Sequence, residues 1–174
     1  MAAPALLAIV AVGLVWRLTM DFNSLAGTMT AATSPQIDQS AETVKQITDA
    51  LLVAKRDNKR VLLQFGSLGC SWCRLLHKAF DTNEPIAGEL RKDYIVIMVD
   101  VSDGNNKTVD DQYGTPRHNS LPFTVILDSD DKPILAENIA FADDDLFRKG
   151  ICQIDTDKVL ALLKKYSTSG DHAA

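Results

Sequence analysis

The sequence predicts an α/β domain with a central mixed sheet of about four strands and helices on both faces. Three observations carry this. Short, nearly unbroken apolar runs occur at residues 61–65 and 94–101, the pattern of strands buried on both faces. Segments with helical apolar spacing precede, separate and follow them. Two further β-rich runs, 123–127 and 134–139, flank the turn Asp128-Ser129-Asp130-Asp131 and so form an antiparallel hairpin.

Taken in order, Ser40 is placed to cap a helix running through Asn58, with Val44, Ile47, Leu51 and Ala54 inward and Glu42, Lys45, Asp49 and Arg56 toward water. The turn Asp57-Asn58-Lys59 ends it, and Val61 to Phe65, followed by Gly66, forms the first strand. From Ser71 the pattern turns helical, with Leu75, Leu76 and Ala79 inward, until Asp81-Thr82-Asn83. Pro85 then opens a second short helix through Lys92, since its fixed φ and missing N–H suit a first turn. Tyr94 to Val101 is the second buried strand. A polar stretch from Ser102 to Ser120 contains a short helix at Thr108 to Tyr113. After the hairpin, Asp155 caps the last helix, Thr156 to Tyr166, whose apolar residues are Val159, Leu160, Leu162 and Leu163.

With 174 residues, 46% of them hydrophobic and 24% charged, the chain has the composition of one globular domain with a real core. A net charge of -5, with Lys and Arg scattered among acids, argues against a nucleic-acid partner, which needs clustered cations. Ala2 to Trp16 is almost uninterrupted apolar sequence. It is short of the roughly 20 residues of a membrane span and closer to the apolar region of a secretory signal. Ser24-Leu25-Ala26 before Gly27 offers small residues for cleavage, while the absence of Lys or Arg from the amino end leaves an uncleaved membrane anchor through residues 2–16, or a buried helix, as alternatives. The organisation expected is a signal peptide or anchor at 1–27, a small polar linker at 28–39, the domain at 40–166 and a frayed tail at 167–174. An exported, extracytoplasmic protein is the reading this favours.

Three cysteines are too few for a disulfide scaffold, and two of them, Cys70 and Cys73, stand in C-x-x-C spacing where a strand gives way to a helix. A thiol attacks a disulfide as thiolate, and the unpaired N–H groups and positive dipole end of a helix N-terminus stabilise negative sulfur. Cys70 is therefore the candidate attacking thiol, and Cys73, one turn further in, the resolving thiol that breaks the mixed disulfide. A structural zinc site would need a second ligand pair, which neither His77 nor Cys152 offers. Soft-metal binding by the two thiolates and a purely structural disulfide also compete with the redox reading. No cofactor and no metal is called for by redox exchange.

The run Val61-Leu62-Leu63-Gln64-Phe65-Gly66, the motif Cys70-Ser71-Trp72-Cys73-Arg74, Ile95 to Asp100, and Leu121-Pro122-Phe123-Thr124-Val125-Ile126-Leu127-Asp128 together resemble the thioredoxin superfamily. The likeness spans about Ser40 to Tyr166, and is strongest to bacterial extracytoplasmic thioredoxin-like proteins, including the reducing domain of the membrane electron transporter that serves the periplasm. The resemblance implies a thioredoxin-like fold and a thiol/disulfide oxidoreductase acting on protein disulfides, as a reductant recharged by a membrane electron donor. It also implies that Pro122 is a cis-proline facing the disulfide and that Leu121 lends its backbone to the substrate strand. An oxidase or isomerase on the same fold, and a binding module with little redox turnover, are the competing readings.

Departures from the family pattern bear on the chemistry. Gly69 stands where Trp is usual before the first cysteine, and Ser71-Trp72 replaces Gly-Pro. Gln64 occupies the strand position of a buried acid; an amide hydrogen-bonds but accepts no proton at neutral pH. Gln64 and His77 are the candidates for proton handling near Cys73, His77 because it lies four residues beyond it on one helical face. Trp72 is a candidate substrate contact, with packing over the motif as its alternative. Cys152 is expected to be a small buried hydrophobe, Asp143-Asp144-Asp145 a solvated loop, and His118 part of a polar loop.

Overall fold

The computed structural model describes residues 39–113, 121–141, 149 and 152–169. Its elements are α1 (Ser40–Asp57), β1 (Arg60–Gly66), α2 (Ser71–Thr82), α3 (Glu84–Asp93), β2 (Tyr94–Asp100), a 3-10 turn (Ser102–Gly104), α4 (Lys107–Gln112), β3 (Phe123–Leu127), β4 (Pro133–Glu137) and α5 (Thr156–Lys165). The expected leader, the linker up to residue 38, His118 and the acids 143–145 lie outside the described residues.

β1 is the strand on which the rest assembles. The four strands run in the order β2-β1-β3-β4. β1 pairs in parallel with β2 from Arg60–Tyr94 to Gly66–Asp100, and antiparallel with β3 from Val61–Leu127 to Phe65–Phe123. Flanked on both sides, residues 61–65 are wholly buried, which is why the run carries no polar alternation. Because side chains alternate, Val61, Leu63 and Phe65 enter one core with α1 and α4 residues Ile47, Ala50, Ala54 and Val109. Leu62 enters the opposite core with Leu76 and Phe80 of α2, Ile86 and Leu90 of α3, and Val159 and Leu163 of α5. Helices thus cover both faces of a mixed sheet.

Local chemistry sets the element ends. Asn83 accepts the Ile86 N–H at 3.2 Å and Pro85 sits in the first turn of α3. Asp128 closes the β3–β4 turn, its carboxylate accepting the N–H groups of Asp130 and Lys132 at 2.9 Å each while Asp131 takes φ 63°. That turn is tied to α4, because the Tyr113 hydroxyl donates to Asp131 at 2.8 Å; burial and this carboxylate hold the phenol well above its usual pKa range.

Several expectations need correction. Gln39, without a side-chain bond, is the N-cap of α1; Ser40 is buried inside it and its hydroxyl accepts the Thr108 N–H at 3.4 Å. The buried face of α1 is Ser40, Thr43, Ile47, Ala50 and Ala54, small residues that let the helix lie close to the sheet, so Val44 is exposed and Leu51 falls on the flank. β2 is buried only alternately, because it is an edge of the sheet: Val96 and Met98 are exposed while Ile97 and Val99 are core. Cys152 is an exposed free thiol rather than a core residue. Beyond α5, the Thr168 hydroxyl lies 3.2 Å from the buried Asp93 carboxylate and 3.0 Å from the Asn58 carbonyl, so 167–169 follow the domain surface. Among the described residues no helix is long and apolar enough to cross a membrane.

Two substitutions test this account. Leu62→Ala should cost about 3 kcal/mol or more in urea unfolding, since the residue is fully buried at the sheet centre. Asp155 caps α5 by accepting the Lys158 N–H at 3.0 Å, and this bond holds its carboxyl below the usual 3.8. Asp155→Ala should therefore lose about 1 kcal/mol at neutral pH. A depressed pKa stabilises the fold above the unfolded value, so the gap should close as pH falls through and below about 3.8. A gap that persists at acid pH would remove the capping explanation.

Candidate functional site

The site forms where β1 stops and α2 starts. The Cys70 N–H donates to the Ser67 carbonyl at 3.1 Å, turning the chain sharply after Gly66, and Val101 N–H donates to the Gly66 carbonyl at 2.9 Å, closing the same end of the sheet. Cys70 is the N-cap of α2, with φ -82° and ψ 109°, and its sulfur accepts the Cys73 N–H at 3.1 Å. It is half-buried, whereas Cys73, in the first turn, is buried. The two are joined in a disulfide with Cα atoms 5.2 Å apart.

The backbone of Gly66 makes room for this arrangement. A Cβ there would stand 3.3 Å from Cys73 Sγ and 3.4 Å from Cys73 Cβ, tighter than ordinary packing, so a side chain would require the first turn of α2 to shift by a few tenths of an ångström. Behind the disulfide, Gln64 is fully buried. The Leu121–Pro122 peptide bond is cis, Pro122 is buried, and Leu121 packs on the core under α1. The β1–β3 register ends at the Phe65–Phe123 pair, so Pro122 lies at the same end of the sheet as Gly66. Trp72 is half-buried against the core of α2, α3 and α5. His77 is exposed one turn beyond Cys73, with Nε2 3.6 Å from Asp81 Oδ2.

A cavity of about 260 Å³ opens beside Cys73, and Gln64, Gly66, Arg74, His77, Met98 and Asp100 are among its walls. Of the residues expected from sequence, it therefore brings together Gln64, Cys73 and His77; Trp72 packs elsewhere, and Leu121 and Pro122 sit on the β3 side. Sequence reasoning missed Gly66, Met98 and Asp100. A glycine closing a buried strand just before a C-x-x-C motif is a usable sign of close approach; the others are set by strand register, which no local pattern encodes. Leu68, 86% exposed beside the motif, was also missed. Among the described residues no group of three or more His, Cys, Asp or Glu side chains is placed to hold a metal ion. Chemically, the arrangement is a cysteine pair one helical turn apart, able to alternate between disulfide and dithiol, with one sulfur half open and the other covered.

Known proteins bear on the family and the fold. The thioredoxin-like family profile matches residues 42–129, just over half of the chain and the span from α1 to the turn after β3. Among solved structures, a disulphide isomerase from Xylella fastidiosa Temecula1 is similar at 26% identity and a TM-score of 0.52, covering 82% of this chain and 95% of that one. A thioredoxin-fold protein from Helicobacter pylori is similar at 19% identity and a TM-score of 0.50, covering 67% and 73%. The oxidised C-terminal domain of Neisseria meningitidis DsbD aligns at 14% identity and a TM-score of 0.45, covering 71% and 94%. No curated protein matches significantly. The profile match across β1, the cysteine pair, β2 and β3, on a mixed sheet with helices over both faces, shows that the chain belongs to the thioredoxin-like family.

Proposed function

We propose that the chain is an extracytoplasmic thiol/disulfide oxidoreductase that reduces protein disulfides through Cys70 and Cys73. The observation that carries this is the division of the pair: Cys70 half open at a helix N-cap, Cys73 buried and bonded to it. In the dithiol form, the Cys70 thiolate attacks one sulfur of a substrate disulfide, forming a mixed disulfide and releasing the other substrate sulfur as a thiolate, which takes a proton from water. Cys73, deprotonated, then attacks Cys70 Sγ; the second substrate thiol leaves and the Cys70–Cys73 disulfide forms. Two electrons and two protons from a membrane dithiol donor restore the starting state.

The helix N-terminus favours the Cys70 thiolate, and the Cys73 N–H already points at that sulfur. Leu121 and Pro122 supply backbone for an incoming extended substrate, and the exposed Leu68 and the uncovered part of Trp72 supply apolar contact. His77, on the cavity that reaches Cys73, exchanges protons with solvent there, while Gln64 acts as a hydrogen-bonding group only. The apolar segment 2–16 supports export, as a signal or an anchor. The similarity to a protein described as a disulphide isomerase favours isomerisation as the second reading.

Equilibration of the full chain with glutathione should reveal one reversible dithiol/disulfide couple, lost in Cys70→Ser. A potential near about -270 mV fits the reductant and one near about -120 mV an oxidant, with isomerases between. Cys70→Ser should reduce insulin no faster than the uncatalysed background, and Cys73→Ser should accumulate a mixed disulfide detectable by mass spectrometry. Absence of any reversible couple would rule out the redox function.

A further inference from the structure

The β1–β3 register sets Gln64 opposite Thr124, and the β1–β2 register sets Met98 on its other side, forming one cross-strand row on the face that also bears Gly66. Gln64 and Thr124 are both fully buried. Neither Oε1 nor Nε2 of Gln64, nor Oγ1 of Thr124, has a hydrogen-bond partner. The amide and the resolving cysteine both border the backbone of Gly66: its Cβ position lies 3.9 Å from Gln64 Nε2 and 3.3 Å from Cys73 Sγ, and the three residues line one cavity. Buried polar atoms without partners are costly, so three of them along one cross-strand row call for a partner. A disulfide sulfur is a poor acceptor. A thiol is better, and a thiolate, being charged, better still.

We infer that Gln64, backed by Thr124, is a hydrogen-bonding pair reserved for reduced Cys73. When two glutathione thiols give two electrons and two protons to the Cys70–Cys73 bond, leaving glutathione disulfide, the freed Cys73 sulfur accepts from Gln64 Nε2. As the amide turns to that sulfur, its Oε1 comes within reach of the Thr124 hydroxyl, which donates to it. Oxidation returns all three atoms to the unpaired state seen here. The pair therefore favours the dithiol and sets the couple above the potential it would have with an apolar residue at 64. This rests on the redox reading above, and it gives the amide a role in which no proton is transferred.

The test uses the full chain with Gln64→Met, of similar length but without donor or strong acceptor, and Thr124→Val. For each, the equilibrium with glutathione and the melting temperatures of the oxidised and reduced forms are measured. Gln64→Met should shift the equilibrium about tenfold toward the disulfide, about 30 mV more reducing, and Thr124→Val in the same direction by less. Both should raise the melting temperature of the oxidised form relative to that of the reduced form. An unchanged or opposite glutathione equilibrium, or equal melting shifts in both redox states, overturns the inference. If Gln64→Met does not fold, Thr124→Val decides by the same criteria. A normal couple insensitive to the substitutions defeats this inference alone, whereas no couple in the unaltered chain defeats the redox reading and this inference with it.

Discussion

The close approach of α2 to the bare backbone of Gly66 governs the site. A Cβ at 66 would stand 3.3 Å from Cys73 Sγ, so a side chain there would displace the first turn of α2 by a few tenths of an ångström, and the cysteines with it. The approach is reinforced from two sides. Ser67 accepts the Cys70 N–H, so the chain returns over the strand end within a single turn, and the Gly66 carbonyl accepts the Val101 N–H, so that end of the sheet cannot splay. Position of the cysteines is thus a backbone property, with little left to the rotamers of the residues between them.

The two cores make such a site sustainable. Val61, Leu63 and Phe65 on one side of β1 and Leu62 on the other are all fully buried, and helices on both faces close over them. Only the last part of the strand departs from this, with Gln64 and Gly66 where two more apolar side chains would otherwise have strengthened the α2 core. This arrangement exchanges core burial for a small space beside Cys73. It is tolerable because the rest of β1 is densely packed, and it is local because Met98 and Asp100, on an edge strand, leave that end of the sheet open to the surface.

What can be read in the sequence is what depends on neighbours along the chain. The apolar run 61–65, the strand-to-helix placement of Cys70, the Pro85 start of α3, the Asp128 turn and the Asp155 cap are all local patterns, and each stands as expected within a residue or two. What cannot be read depends on distant packing. Periodicity misjudges the face of α1 because small residues, Ala50 and Ala54 with Ser40 and Thr43, bury better against a sheet than the larger Val44, which spacing alone ranks equally. β2 reads as doubly buried because its composition matches that of a central strand, while its edge position follows only from topology. The exposure of Cys152 and the pairing of Gln64 with Thr124, far apart along the chain, likewise follow only from the assembled sheet.

One hydrogen bond links architecture to reactivity. The Cys73 N–H is among the orphan donors that every helix leaves at its start, and here the group that satisfies it is Cys70 Sγ, where most helices use a Ser, Thr, Asp or Asn oxygen. A neutral sulfur is a weak cap. A thiolate is a strong one, since the same N–H then meets a full negative charge in line with the helix dipole. The helix is therefore capped best when Cys70 is ionised, so the requirement that α2 begin at this residue and the requirement that its thiol be acidic are met by a single contact. In the proposed cycle that contact weakens as Cys70 bonds to a substrate sulfur and strengthens as recharging releases Cys70 as a thiolate, so the cap itself favours the reduced pair.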